Sequence, residues 1–340
     1  MWHIKGFVST VDFHTAGEPF RIVVGGGPDI PGATVAQRRV TARDSVQIDG
    51  VRRLLCLEPR GHADMYGCFL VPPDDDGADF GAIFWHKDGY STACGHGTIA
   101  LGVWAVQSGR VAANPDGVTA VTIDVPSGRV VARVRQVGGV IVNVVFENVE
   151  SYPIAHGIEL DTSRGTALVD LSFAGAIYAS VDAGSLGLEV TPDHYAELIA
   201  IGREVKWALN DTAFARHPVD ERLSGIYGTI LYDDLGDTDI GPHQRNVTVF
   251  ANGQVDRSPC GSGTGARLAL LADSGRLRTG EILTHDSIIG TRFFGSVSDA
   301  PDDDGRGAIL PHVEGMAYRT GEHTFTLDPN DPVGTGFVLR

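Results

Sequence analysis

Two cysteines, Cys94 and Cys260, stand in closely similar segments and are the residues best suited to chemistry. Residues 94–110 read CGHGTIALGVWAVQSGR, and residues 260–276 read CGSGTGARLALLADSGR. Cys, Gly, Gly, Thr, Ala, Ser, Gly and Arg recur in the same order at an offset of 166 residues, about half of the 340-residue chain. This agreement indicates an internal duplication that puts one cysteine in each half of the protein.

Each segment predicts a helix that begins at its cysteine. A strand-like stretch precedes each one, and the Ser-Gly-Arg at its end offers a glycine for a left-handed C-terminal cap. The first turn of a helix presents unpaired backbone N–H groups and the positive end of the helix dipole, so it attracts anions such as a carboxylate. The same field favours a thiolate, and we expect it to lower the pKa of both thiols toward neutrality.

This arrangement suits proton exchange at a carbon atom next to a carboxylate. Two such helix starts would clamp the carboxylate and place one sulfur on each face of the adjacent α-carbon. One sulfur removes a proton while the other delivers one, which inverts the carbon. The carbanion between these steps requires fixed hydrogen-bond donors in a closed, dry site.

The composition is that of an ordinary globular protein and argues against several classes of function. With 340 residues, of which 42% are apolar and 21% charged, the chain is long enough for two domains. The formal net charge of −16, with no basic cluster to offset it, argues against nucleic acid as a partner. The sequence opens without a signal-peptide layout and holds no apolar run near the roughly 18 residues of a membrane span, so we expect a cytoplasmic protein without membrane contact.

The cysteine pattern predicts reduced thiols. Four cysteines occur without C-x-x-C spacing, which suits neither a disulfide framework nor a ribbon-type zinc site. Cys94, His96 and Cys260 would supply only three zinc ligands at unusual spacing, so no metal is expected. Cys56 and Cys68 lie in strand-like runs and are interpreted as small core hydrophobes.

Strand-like runs outnumber helical ones and predict an α+β fold. Short β-branched runs bounded by Gly, Pro or Asp predict strands at residues 20–24, 68–72, 82–85, 119–125, 130–135, 140–146, 177–182, 226–232 and 246–251. Apolar periodicity predicts helices at residues 98–107, 191–210 and 264–274. The acidic runs at residues 73–76 and 301–304 are interpreted as solvated loop tips.

Four stretches carry a resemblance to a known family. They are DFHTAGEP at residues 12–19, RGHADMYG at 60–67, GYSTACGHGT at 89–98 and DRSPCGSGT at 256–264. With them the sequence resembles the proline racemase family, which includes proline racemase, hydroxyproline 2-epimerase and trans-3-hydroxy-L-proline dehydratase. The resemblance extends from near residue 8 to about residue 280.

The resemblance implies two pseudo-symmetric lobes, each a curved β-sheet wrapped around a central helix, as in diaminopimelate epimerase, with the active site in the cleft between them. It assigns residues 1–147 and 324–340 to an N-terminal lobe that carries Cys94. Residues 148–323 then form a C-terminal lobe that carries Cys260. Family members need no pyridoxal phosphate, metal or nucleotide, so no cofactor is expected.

The resemblance also implies roles for single residues. Matching positions make Cys94 and Cys260 the catalytic acid/base pair. Asp256 would bind the ring nitrogen of the substrate, and the substrate carboxylate would be held by Gly95, His96, Gly261 and Ser262. The expected partners are a small cyclic amino acid and a second copy of the chain, because dimers are the commonest assembly. Turn stabilisation explains the remaining polar residues of the family-like stretches equally well, so no site role is assigned to His14, His62 and Asp64.

Epimerisation and dehydration both stay open. The surroundings resemble the 3-hydroxyproline dehydratase branch, whose members often carry Thr where Cys260 stands. Dehydration needs one base at the α-carbon and help for the departing 3-hydroxyl, whereas epimerisation needs an acid/base on both faces, so Cys260 favours inversion of proline or hydroxyproline. A cysteine pair is also able to eliminate water from a 3-hydroxylated ring. A third hypothesis is a non-catalytic protein that binds cyclic amino acids and needs neither thiol. Which ring substituent is accepted depends on loops that the sequence does not place.

Overall fold

The computed structural model describes residues 6–301 and 305–339. Residues 1–5, and residues 302–304 of the second acidic run, lie outside the described part. The strands within it are β1 (Phe7–Thr15), β2 (Glu18–Gly25), β3 (Tyr66–Val71), β4 (Phe80–His86), β5 (Gly89–Tyr90), β6 (Gly117–Val125), β7 (Gly128–Val137), β8 (Val140–Glu147), β9 (Tyr152–Thr162), β10 (Gly165–Phe173), β11 (Ile177–Asp182), β12 (Ile226–Thr238), β13 (Gly241–Phe250), β14 (Gln254–Val255), β15 (Leu283–Ser287), β16 (Arg292–Asp299), β17 (Ile309–Gly315) and β18 (Ala317–Thr326). The helices are α1 (Val35–Asp44), α2 (Val46–Cys56), α3 (Gly95–Gln107), α4 (Tyr195–Asn210) and α5 (Gly261–Asp273).

Two compact units divide the chain, and each is described by itself. Unit 1 comprises Met1–Ile141 and Ala317–Arg340, and unit 2 comprises Val142–Met316. The expected boundaries at residues 147/148 and 323/324 therefore lie six and seven residues too late. Strand pairing explains the difference, because the end of β8 pairs with β17 in unit 2, whereas β18 pairs with β1 from its first residues onward.

Unit 1 is built around helix α3 from antiparallel ladders that two short parallel pairings join. Strand β1 lies between β2 and β18 and is antiparallel to both. Strand β2 runs parallel to β3, which pairs with β4, and β4 leads through a short parallel pairing to the β6–β7 hairpin. Helix α3 packs against β1, β2, β6, β7 and β18, and its residues 95–105 are all buried. The sheet thus wraps around the helix that follows Cys94.

Unit 2 repeats this plan. Strands β9, β10 and β11 are antiparallel neighbours, β11 runs parallel to β12, and β12 forms a long hairpin with β13. A parallel pairing then joins β13 to β15, and β15, β16, β17 and β8 continue the sheet in antiparallel order. Helix α5 packs against β9, β10, β11, β16 and β17, and its residues 261–271 are all buried.

The predicted α+β class, with a curved sheet around a central helix in each half, is confirmed. Each of the nine predicted strands lies within an observed strand or extends at most one residue past its end, although β12 continues six residues further than predicted and β13 begins five residues earlier. The three predicted helices are α3, α4 and α5. The start of α4 is later than predicted, because Pro192 opens a 3₁₀ turn before the helix begins. Helices α1 and α2 were not predicted. The strand interpretation of Cys56 is wrong, since this residue ends α2, although its assignment to the core agrees with complete burial.

Candidate active site

The first predicted catalytic residue, Cys94, is the N-cap of α3. Its backbone is extended, with φ −159°, and its sulfur accepts a hydrogen bond from the Gly97 N–H at 3.3 Å. The Cys94 carbonyl accepts bonds from both the N–H of Thr98, at 3.0 Å, and its hydroxyl, at 2.8 Å. The prediction that a helix begins at this cysteine is confirmed, and a backbone donor of the first turn points at the sulfur.

His96, in the first turn of α3, lies directly beside this sulfur. The Cys94 Sγ is 3.6 Å from the imidazole Nδ1 and 3.7 Å from Nε2. Two aromatic rings fix the imidazole by edge-on contacts, Tyr66 with a centroid distance of 5.0 Å and Phe20 with one of 5.7 Å. The Thr15 hydroxyl donates to the His96 carbonyl at 2.9 Å. The buried imidazole of His96 is therefore held within reach of the Cys94 thiol. It gives this helix start a second group that is able to carry a proton.

The second predicted catalytic residue, Cys260, is the N-cap of α5. Its sulfur accepts a hydrogen bond from the Gly263 N–H at 3.3 Å, the same bond at the same length as in unit 1. The backbone differs, because Cys260 has φ 63° and ψ 110°. A residue other than glycine in this sparsely populated region costs on the order of 1–3 kcal/mol, which the surrounding structure has to supply. The helix start is again confirmed, but here it is strained.

Asp256 is tied to the backbone of Cys260 through Ser258. The Asp256 Oδ1 accepts from the Ser258 N–H at 2.8 Å and from the Ser258 hydroxyl at 2.7 Å, and the Ser258 Oγ in turn accepts from the Cys260 N–H at 3.0 Å. Asp256 is 3% exposed. Because both donors bind the same carboxylate oxygen, Ser258 fixes the orientation of the Asp256 carboxylate relative to the start of α5.

The electrostatic setting of Cys260 overturns one expectation. Burial raises the pKa of the Cys260 thiol well above its ordinary value, and the negative charge of Asp256 raises it further, while the Gly263 N–H acts in the opposite direction. The prediction that the helix start lowers the pKa of both thiols is therefore wrong for Cys260. Desolvation of a fully buried thiolate outweighs one backbone donor and the helix dipole. Cys260 is consequently a thiol, and thus a proton donor, at neutral pH.

The structure collects the predicted site residues into two groups. Unit 1 brings together Cys94, Gly95 and His96 at the start of α3, and unit 2 brings together Asp256 and the first turn of α5, which includes Gly261 and Ser262. All of these residues are buried. Ser262 occupies the position that His96 has in the repeat, so the imidazole beside the Cys94 sulfur has no counterpart of the same type in unit 2.

Several residues of these groups were missed by sequence reasoning. Phe20 directly follows the first of the stretches quoted above and Tyr66 lies within the second, yet nothing in their local pattern indicates that they contact His96. Thr264 recurs at the position of Thr98, which was a usable signal. His285 lies in a plain strand pattern, and only the parallel pairing of β13 with β15 brings it near α5.

Membrane-spanning helices and metal-binding clusters are both absent from the residues that the structure describes. No helix among them is long and apolar enough to cross a membrane. Nor does any group of three or more His, Cys, Asp or Glu side chains, in the part of the chain that the structure covers, have an arrangement able to hold a metal ion.

Comparison with known proteins yields one family. A family model described as proline racemase matches residues 10–338. A trans-3-hydroxy-L-proline dehydratase of Bacillus thuringiensis is 40% identical over 331 residues, which are 97% of this chain and 98% of the relative. A 3-hydroxyproline 2-epimerase of Burkholderia multivorans is 42% identical over 339 residues, 99% of either chain. The crystal structure of a hydroxyproline epimerase from Agrobacterium vitis, with bound trans-4-hydroxy-L-proline, superposes with a TM-score of 0.91 at 31% identity and covers 98% of this chain and 95% of its own.

These relatives align with the chain from end to end, and their identities lie well above the level at which only a fold is shared. The repeated helix starts, each capped by a cysteine, fall inside the matched region. The chain belongs to the proline racemase family.

Proposed function

We propose that this protein is a cofactor-independent epimerase of proline or hydroxyproline in which Cys94 and Cys260 exchange protons with opposite faces of the same α-carbon. The observation that carries this proposal is the repeated cap: each cysteine precedes a buried helix, and each sulfur accepts a backbone N–H bond at 3.3 Å.

The substrate class follows from the polar groups near each sulfur and from the names of the relatives. The backbone N–H groups of the first turns, at Gly95, His96, Gly261 and Ser262, suit a carboxylate. Asp256 suits the ring ammonium of a cyclic amino acid, because a buried carboxylate and an ammonium form a charge-assisted hydrogen bond. The relatives named above act on, or hold, hydroxylated prolines.

The protonation state of Cys260 assigns a role to each sulfur. With Cys260 as a thiol, Cys94 is the sulfur that removes the α-proton, and the Cα–H electron pair stays on carbon as a carbanion next to the carboxylate. Cys260 then delivers its proton to the opposite face and becomes a thiolate. The substrate ammonium neutralises the charge of Asp256, which removes one of the causes that raise the Cys260 pKa. The thiolate product state is thereby stabilised at the moment when it forms.

Dehydration of 3-hydroxyproline is the second candidate, favoured by the 40% identity to a dehydratase. In that reaction Cys94 takes the α-proton, the 3-hydroxyl leaves as water with a proton from Cys260, and the resulting enamine tautomerises to Δ1-pyrroline-2-carboxylate. The presence of a thiol at position 260 supports inversion over dehydration, since departure of a hydroxyl does not require a strong base on the second face.

Incubation in D₂O with proline, 4-hydroxyproline and 3-hydroxyproline in turn tests the proposal. Deuterium at the α-carbon together with a changed optical rotation supports epimerisation, and a rise in Δ1-pyrroline-2-carboxylate supports dehydration. Absence of both with all three amino acids would contradict both enzymatic proposals.

A second measurement separates an enzyme from a simple binding protein. The planar carbanion mimic pyrrole-2-carboxylate should protect both thiols from iodoacetamide, since it occupies the place of the reacting carbon. If a double variant without either thiol binds the amino acids as tightly as the wild type, and the wild type exchanges no α-proton, the protein only binds them.

A further inference from the structure

His285 is a fully buried histidine on β15 that the proposed chemistry does not use. Its Nδ1 lies 2.9 Å from the Thr264 hydroxyl, and its Nε2 lies 2.6 Å from the amide nitrogen of Asn246. Both of these partners also contact the residue that precedes Cys260. Asn246 donates to the Pro259 carbonyl at 2.9 Å, and the Thr264 hydroxyl donates to the same carbonyl at 3.3 Å.

The hydrogens of this network have one consistent assignment. The Pro259 carbonyl can only accept, so the nitrogen of the Asn246 amide, with its two hydrogens, faces Pro259 and His285. The imidazole Nε2 therefore accepts, and the proton of a neutral ring is on Nδ1, which donates to the Thr264 Oγ1. The hydroxyl hydrogen is then left for Pro259. Every donor has its acceptor when His285 is neutral.

The network fixes the peptide group that enters the strained residue. The Pro259 carbonyl and the Cys260 N–H belong to one peptide plane, and the N–H end of that plane is bound by the Ser258 hydroxyl at 3.0 Å. The Cys260 carbonyl is bound by the Thr264 N–H at 2.7 Å. Since both flanking peptides are held, the φ of 63° at Cys260 persists despite its cost.

Unit 1 shows what happens without such strain. There Cys94 is extended, and the hydroxyl of Thr98, the counterpart of Thr264, simply bonds the Cys94 carbonyl within the first turn. The clamp of Asn246, Thr264 and His285 is thus specific to the helix start whose cysteine has positive φ.

The surroundings keep His285 neutral. Burial lowers the pKa of His285 to about 3, and the nearby Arg267 and His243 lower it as well, while Asp286 acts against them. A protonated ring would present a hydrogen at Nε2 to the Asn246 amide, and the clamp would lose its acceptor.

We propose that His285 is the positioning residue for Cys260: its imidazole joins Asn246 to Thr264, holds the Pro259 carbonyl, and so sets the direction in which the Cys260 sulfur points. This inference rests on the proposed role of Cys260 as proton donor. A displacement of about 1 Å in a reacting group costs on the order of 100-fold in rate, so the effect of losing the clamp is measurable.

The test compares His285→Leu, which removes both bonds, with His285→Gln, whose carbonyl and amide can replace Nε2 and Nδ1. We expect His285→Leu to lower kcat about 100-fold with little change in KM, and His285→Gln to recover at least about tenfold of that loss. Iodoacetamide labelling, resolved by mass spectrometry, should rise at Cys260 in His285→Leu and stay constant at Cys94. Unchanged kcat and unchanged Cys260 labelling, or equal losses in the Leu and Gln variants, would overturn the proposal.

A matched pair of threonine variants covers the case in which His285→Leu does not fold. Thr264→Val breaks the clamp, whereas Thr98→Val removes the same hydroxyl from unit 1. The Thr264 variant should lose at least about tenfold more kcat and label faster at Cys260, and equal behaviour of the two variants counts against the clamp. The labelling contrast needs no turnover. It therefore tests the positioning of Cys260 even if the D₂O experiment shows no inversion.

Discussion

The starts of α3 and α5 have the same kind of cysteine cap, but they differ in backbone conformation and in the polar group near the sulfur. In both, a cysteine accepts the N–H bond of the glycine three residues later at 3.3 Å. Around Cys94 the backbone is relaxed and an imidazole lies beside the sulfur, whereas around Cys260 the backbone is strained and a carboxylate lies nearby. Duplication preserved the feature that aims a backbone donor at sulfur, and divergence changed the groups that set where the proton resides.

This difference teaches that pseudo-symmetry of fold does not make the two thiols equivalent. The Cys260 thiol, buried next to the carboxylate of Asp256, retains its proton because both surroundings raise its pKa, whereas Cys94 has the imidazole of His96 beside its sulfur. The reaction in the reverse direction starts from the opposite pair of protonation states. In the proposed mechanism the free enzyme therefore has to exchange protons before it repeats a turnover in the same direction.

Removal of either sulfur should have the largest effect on activity. Cys94→Ala and Cys260→Ala should each reduce inversion on the order of 10²–10⁴-fold, because each deletes one of two general acid/base groups. Optical rotation and α-deuterium incorporation measure the loss. Cys68→Ala, which alters a buried core thiol, serves as the control and should retain activity. Full inversion activity in either active-site variant would contradict the two-thiol mechanism.

Acid should destabilise unit 2 through His285. The pKa of this buried group is lowered from 6.5 to about 3, so its contribution to stability is present above pH 6.5 and is lost as the pH falls toward 3. The loss reaches on the order of 3 kcal/mol by pH 4, since each unit of pH inside this window contributes about 1.4 kcal/mol. Urea unfolding at pH 7, 5.5 and 4 of the wild type and of His285→Gln isolates this contribution. Parallel pH profiles for the two proteins would refute it.

Asp256→Asn tests how far the charge of Asp256 accounts for the difference between the two thiols. Loss of one charge-assisted bond to the ring ammonium predicts a rise in KM of about 10- to 100-fold. Removal of the negative charge should also shift the pH profile of Cys260 alkylation to lower pH, because Asp256 raises the pKa of that thiol. Asp193→Asn, an exposed site in unit 2, is the control. A changed KM with an unshifted alkylation profile would mean that burial alone sets the state of Cys260.

The fold and the two helix starts could be predicted from the sequence because they depend on short-range signals. The repeat located Cys94 and Cys260, and β-branched runs located nine strands. The region of α1 and α2 was not recognised, because Ser45 both ends α1 and caps α2 and leaves no Gly or Pro to mark the break. Cys56 looked like part of a strand because Leu54 and Leu55 precede it without helical spacing.

Features that depend on burial, or on pairing between distant residues, could not be predicted from the sequence. The direction of the Cys260 pKa shift follows from desolvation, which only the packed structure determines. The contact of His285 with Asn246 joins residues 39 positions apart through the parallel pairing of β13 and β15. The direction of the Cys260 pKa shift and the clamp at Cys260 are therefore properties of the tertiary structure.

The glycines that follow the two helices should give the smallest effect. Here we expect the same loss of stability from a substitution in either unit. Gly109 and Gly275 adopt φ values of 71° and 69°, and a methyl group added to either would meet open space. The cost of Gly109→Ala or Gly275→Ala is therefore the backbone strain alone, about 1 kcal/mol in each unit, or a Tm decrease of roughly 2–4 °C. Calorimetry of the two variants measures it, with kcat expected to stay at the wild-type level. Because the closing turns lie far along each helix from the cysteines, unequal costs would show that the divergence between the two copies extends beyond the helix starts to the whole repeated helix.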